Sequence, residues 1–120
     1  SRSTETTFDF DIDDIAELAG VVERMARKLS EGLARSGILT RNVGIKVRLG
    51  DWTTTTRVRT LAAPTADEQR IVAAALDLLE ENRPEGPVRL IGVRVASLTG
   101  QEPSEPAADR RESSQMALEV

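Results

Sequence analysis

The segment RNVGIKVRLGDWTTTTRVRT, Arg41 to Thr60, holds the pattern on which the fold turns. Val43, Ile45, Val47 and Leu49 alternate with Asn42, Gly44, Lys46 and Arg48, the period of a strand with one buried face. Gly50-Asp51 makes a turn. On the returning strand Thr55, Arg57 and Arg59 alternate with Thr56, Val58 and Thr60. If the apolar residues of each strand face a core, Val58 turns inward. Lys46, Arg48, Arg57 and Arg59 then share the opposite face with Thr55, and Thr56 points inward. Residues 41–60 carry five cations against Asp51 alone, within a chain of formal charge -4. The positive charge is gathered on one ribbon.

Outward from the ribbon, the same periodicities define the other elements. RSTETTF is short, rich in Thr and reads as a strand. DFDIDDIAEL then supplies acids where a helix N-terminus favours them. Asp14 with Glu17 three residues on forms a capping box, with Asp13 or Asp11 as alternative caps. Ile15, Leu18, Val22, Met25, Leu29 and Leu33 make one helical stripe, which Ser36-Gly37 ends. After Pro64, Thr65 with Glu68 offers a second capping box. Ile71, Ala75, Leu78 and Leu79 follow as a buried stripe, and Asn82-Arg83-Pro84 closes that helix. VRLIGVRVASL is a last strand with Ile91, Val93 and Val95 on one face and Leu90, Gly92 and Arg94 on the other. The order β-α-β-β-α-β predicts an α+β, ferredoxin-like two-layer sandwich. Its four-stranded antiparallel sheet would carry both helices on one face and leave the other to solvent, with Arg94 joining the ribbon's cations there. Residues 1–100 form the predicted domain. Residues 101–120 are Pro-, Ser- and charge-rich, predict a disordered acidic tail, and end in the apolar island QMALEV.

The composition excludes several chemistries. The absence of Cys rules out disulfides and thiolate metal sites, and the absence of His removes the commonest general base. Asp9, Asp11, Asp13 and Asp14 fit helix capping better than a metal site. No apolar run approaches the eighteen residues of a membrane span, and SRSTETTFDF lacks a secretion signal's layout, so a cytoplasmic location is expected. Solvent-facing strands are ordinarily polar, which is one explanation of the basic face. Phosphate binding is the other, since Arg and Lys neutralise phosphates and Thr hydroxyls and strand amides donate to their oxygens. Gly92 either lets a phosphodiester approach the backbone or marks a strand kink. Trp52 either stacks on a base or covers the sheet edge. No Asn or Gln pair is arranged for bidentate base readout, which favours gripping over reading, although Arg binds guanine in that way.

Four stretches together resemble the C-terminal little finger (polymerase-associated) domain of Y-family DNA polymerases of the bacterial polymerase IV type. STETTFDFDI is similar to the family's opening strand, and RNVGIKVRLGDWTTTTR to its Lys-x-(Lys/Arg)-x-x-Asp-(Phe/Trp) ribbon leading into Thr-Thr-Thr. GPVRLIGVRVASL is similar to its closing strand, and QMALEV to its sliding-clamp peptide, with Val120 where a larger residue is usual. The resemblance implies a domain that grips primer-template duplex on the major-groove side through its phosphates, without sequence specificity, within a translesion polymerase. By family position it assigns Arg41, Thr56, Arg57, Arg59, Arg89 and Arg94 to DNA, and face parity adds Lys46 and Arg48. Gln115, Met116, Leu118 and Val120 would dock on the sliding clamp. The implied partners are duplex DNA, the clamp and the rest of the polymerase chain. Mg2+ is implied for the parent's palm, and neither cofactor nor catalytic residue for this chain, expected to be an excised fragment that is inactive alone. Two other readings are a scaffold domain of a non-catalytic paralogue and a regulatory domain binding a metabolite between helices and sheet.

Overall fold

In the computed structural model, which describes residues 1–100, seven elements follow in order. They are β1 (Arg2–Ile12), α1 (Ile15–Ser36), β2 (Ile38–Leu49), β3 (Thr54–Thr65), α2 (Glu68–Glu81), β4 (Val88–Ala96) and β5 (Thr99–Gly100). The expected acidic tail and its ending, Gln115 to Val120, lie outside the described residues. The predicted two-layer α+β architecture is what forms: an antiparallel sheet in the order β1-β4-β2-β3 under two helices. Both crossovers are split. β1 and β2, joined by α1, enclose β4, while β3 and β4, joined by α2, enclose β2. The short β5 pairs with the start of β2, Thr99 beside Leu39.

Strand composition explains this order. Val43, Ile45 and Val47 of β2 and Ile91, Val93 and Val95 of β4 are all buried, so the two most apolar strands take the centre under the helices. The Thr- and Arg-rich strands β1 and β3 take the edges, where polar side chains reach water and discourage further pairing. Leu18, Val22, Met25, Leu29 and Leu33 of α1 and Ile71, Ala75, Leu78 and Leu79 of α2 complete the core, as their spacing predicts.

The ends of α1 follow the sequence closely. Asp14 is the N-cap, its Oδ1 accepting the Ala16 N–H at 3.0 Å, and Gly37 closes the helix at φ 67°. Two boundaries differ from expectation. β1 continues past Phe8 to Ile12, which pairs with Val88 beyond an irregularity, so Asp9 and Asp11 belong to a strand. The cap of α2 is Asp67, which accepts the Arg70 N–H at 3.3 Å, and not Thr65. Thr65 remains in the ladder opposite Thr40, and its hydroxyl accepts the Asp67 N–H at 2.9 Å instead. Cross-strand pairing there outcompetes the capping box.

Candidate nucleic-acid interface

The hairpin of β2 and β3 builds the basic surface, and its turn decides which residues take part. The Leu49 N–H donates to the Thr53 carbonyl at 2.9 Å, and the Trp52 N–H to the Leu49 carbonyl at 2.9 Å. The loop is therefore Gly50-Asp51-Trp52, three residues closed by Trp52 in the left-handed region at φ 73°. Asp51 Oδ1 accepts the Thr53 N–H at 3.0 Å, and these hydrogen bonds from Thr53 hold its carboxyl below the ordinary value. A two-residue Gly50-Asp51 turn would place Lys46 opposite Thr55. The third loop residue shifts the pairing by one, and a one-residue shift turns every side chain of a strand to the other face.

The observed register pairs Lys46 with Thr56, Gly44 with Val58, Ile45 with Arg57 and Val43 with Arg59. This corrects the parity expectation along the whole of β3. Thr56 stands beside Lys46 on the helix-free face, where family position placed it, and no bulge interrupts the pairing from Asn42 to Arg48. Val58 is on that same face and 58% exposed, so it belongs to no core. Arg57, Arg59 and Thr55 lie on the helix side. There both Glu81 carboxylate oxygens accept from Arg59 Nη2 at 2.7 Å, with Asp77 accepting at 3.4 Å from Nη1. The Glu81 hydrogen bonds, with its charge, hold the Arg59 pKa above its ordinary value. Arg57 donates to Asn82 Oδ1 at 3.2 Å and to the Thr56 carbonyl at 3.0 Å.

The helix-free face gathers Lys46 and Arg48 from β2, Thr54 and Thr56 from β3, and Arg94 from β4. Arg48 Nε donates to Thr54 Oγ1 at 2.9 Å, and Arg94 Nη2 to Ser1 Oγ at 3.2 Å. Lys46, Thr56 and Arg94 line a trough of about 350 Å³ together with Glu5, Gly44 and Gly92. The pairing runs unbroken through Gly92, so no kink resides there. A Cβ at Gly92 would stand 2.9 Å from Glu5 Cγ and 3.1 Å from the Thr4 carbonyl oxygen. The glycine is a requirement of close approach.

Trp52 closes one end of this surface. It is 63% exposed, with the Arg48 guanidinium 5.8 Å and the Arg89 guanidinium 5.1 Å from its ring centre. Arg89 lies at the register shift between Leu90 and Val88 and is tethered to Asp11 Oδ1 at 3.2 Å. Arg41 stands at the opposite end of β2, beside a second shift, its Nε donating to the Leu61 carbonyl at 3.1 Å. Sequence reasoning missed two acids of this surface. Glu5 reaches Lys46 across Gly92, and Asp11 holds Arg89. The Thr-Glu-Thr alternation of β1 carried the signal for Glu5, but reading it required the pairing of β1 with β4.

Residues 1–113 match the family model described as the impB/mucB/samB family C-terminal domain. "DNA polymerase IV 1" of Mesorhizobium japonicum is 37% identical over 106 residues, which cover 88% of this chain and 24% of that relative. "DNA polymerase IV" of Methanoculleus marisnigri is 42% identical over 100 residues, covering 83% of this chain and 28% of that protein. The chain thus spans about a quarter of the length of these relatives. Among solved structures, the complex of a beta-clamp processivity factor and the little finger domain of PolIV aligns with TM-score 0.63 at 25% identity, over 95% of this chain and 97% of that one. A post-insertion binary complex of Dbh DNA polymerase aligns with TM-score 0.67 over 82% of this chain and 28% of that one. At 14% identity it shows the shared fold.

Proposed function

The chain belongs to the impB/mucB/samB C-terminal domain family, the little finger of Y-family DNA polymerases, and on that premise we propose that its helix-free face grips primer-template duplex for a translesion polymerase. The observation that carries this reading is the convergence of Lys46, Arg48, Arg94 and Thr56 on one face free of helices. Long cationic side chains neutralise phosphates, hydroxyls donate to them, and the low floor at Gly44 and Gly92 admits a backbone at close range. With Arg41 and Arg89 at its margins, the face would neutralise about three to five phosphates, a log-log salt slope of about -3 to -4.5. Such binding is independent of sequence, which a translocating polymerase requires. Arg57 and Arg59, turned to the helix side, brace β3 against α2 in this reading and leave the phosphates to the other face.

DNA-directed DNA synthesis belongs, on this proposal, to the remainder of a longer polymerase. The Mg2+ chemistry implied for the parent is assigned, on the same proposal, to that remainder. The ending QMALEV, with Gln115, Met116, Leu118 and Val120, is proposed to dock on a sliding clamp. The likeness to a little finger domain solved with a beta-clamp supports that partner. A cytoplasmic location is part of this proposal; among the described residues no helix is long and apolar enough to cross a membrane.

The deciding experiment compares two paired variants in duplex titrations across salt. Arg48→Ala with Arg94→Ala should weaken binding by about 30-fold or more at low salt and flatten the slope by about 2. Arg57→Ala with Arg59→Ala should change affinity less than about 3-fold. Unaltered binding in the first pair overturns the assignment. Removal of residues 115–120 should abolish clamp binding and leave duplex affinity intact, and a truncated chain that still binds the clamp refutes the docking role.

A further inference from the structure

Glu5, Gly92 and Lys46 stand in one rung across β1, β4 and β2. Gly92 has no side chain, so the other two meet above it, Lys46 Nζ 3.1 Å from Glu5 Oε2. Their meeting depends on that glycine, because a Cβ there would displace Glu5 Cγ. Arg94 occupies the next rung, between Ser3 and Gly44, so the carboxylate stands in a trough walled by a second cation. A carboxylate and a phosphodiester are both delocalised anions that offer paired oxygens to an ammonium group. Glu5 and Lys46 are each more than a third exposed, so the pair opens to solvent without disturbing the core.

We infer that the Glu5 carboxylate fills an anion subsite over Gly92 that a duplex phosphodiester takes over on binding, which makes Glu5 an internal competitor for Lys46. The inference rests on the proposed duplex-gripping role of this face. In the free chain Lys46 is neutralised within the molecule. In the complex it transfers to a phosphate, and Glu5 is left unpaired beside a polyanion. The net contribution of Lys46 is the difference between two similar ion pairs. The domain's grip is consequently softer than its cation count implies, and Glu5 sets how soft.

The test uses the 120-residue chain and a short duplex in anisotropy titrations over a range of salt. E5Q should bind about 5- to 10-fold more tightly than the parent chain at low salt, with a slope steeper by about 1. E31Q makes the same charge change on the helix layer and serves as the reference. K46A should cost more affinity when combined with E5Q than alone, whereas R94A should cost the same in both backgrounds. If E5Q binds no more tightly than E31Q, or K46A costs the same with and without E5Q, the subsite is refuted. That failure differs from failure of the gripping role itself, in which R48A and R94A would leave duplex binding untouched and the inference would fall with it.

Discussion

Lys46 and Arg57 lie on adjacent strands of one hairpin, yet they serve different surfaces. On the helix side, Arg59 is held by Glu81 and Asp77, and Arg57 by Asn82. On the helix-free side the cations meet hydroxyls, Arg48 with Thr54 and Arg94 with Ser1, and Lys46 meets one carboxylate. In the first group Arg59 is neutralised by acids of the fold and Arg57 is held by a neutral amide, whereas in the second Arg48 and Arg94 keep their field toward solvent and Lys46 is paired with Glu5. This contrast explains how a chain of formal charge -4 presents a cationic face: acids such as Asp77 and Glu81 are committed to the helix layer. It also shows that residue type does not choose the face. The length of a three-residue loop does.

The register behind this contrast can be broken most visibly at two valines. Val47 is buried at 6% exposure on the helix side, and Val58 is exposed on the other. Val47→Thr should destabilise the domain by about 1–3 kcal/mol in denaturant unfolding, the cost of an unpaired buried hydroxyl. Val58→Thr should change stability by less than about 0.5 kcal/mol. Equal costs would return β3 to the opposite register. A smaller effect is expected from Arg59→Ala, which should lower the melting temperature slightly at low salt and not at high salt, since ion pairs of exposed groups are screened. Lys46→Ala should leave melting essentially unchanged while altering DNA binding. The smallest effect concerns the turn itself. Asp51 has a folded pKa below its ordinary 3.8, so its contribution is present above that value and is lost as pH falls through the folded value. Asp51→Asn should therefore remove a shallow acid dependence of hairpin stability below about pH 4, read by amide exchange at Thr53. An identical acid profile in both chains would mean that the carboxylate does not hold the loop.

Much of the architecture was legible because it depends on short-range periodicity. The α1 stripe from Leu18 to Leu33, its Asp14 cap, its Gly37 stop and the alternation of β2 and β4 are all written within a few residues of one another. β3 was misread for a definite reason. Its single apolar residue at mid-strand, Val58, is exposed, and an edge strand of Thr and Arg has no hydrophobic pattern strong enough to declare its face. Thr65 was similarly misread as a cap, because its pairing with Thr40 is invisible in local sequence.

By itself the sequence determined the element order, the buried stripes, the family and the concentration of cations on one ribbon, since each follows from spacing or composition along the chain. Tertiary structure alone decided that β2 and β4 form the centre, that Trp52 in the left-handed region lengthens the turn, and that Thr56 joins Lys46 while Arg57 and Arg59 turn to α2. It also brought Glu5 over Gly92 to Lys46, 41 residues away in sequence. The physical reason is the same in each case. Facing depends on which residue of a neighbouring strand lies opposite, and that pairing is a property of the assembled sheet.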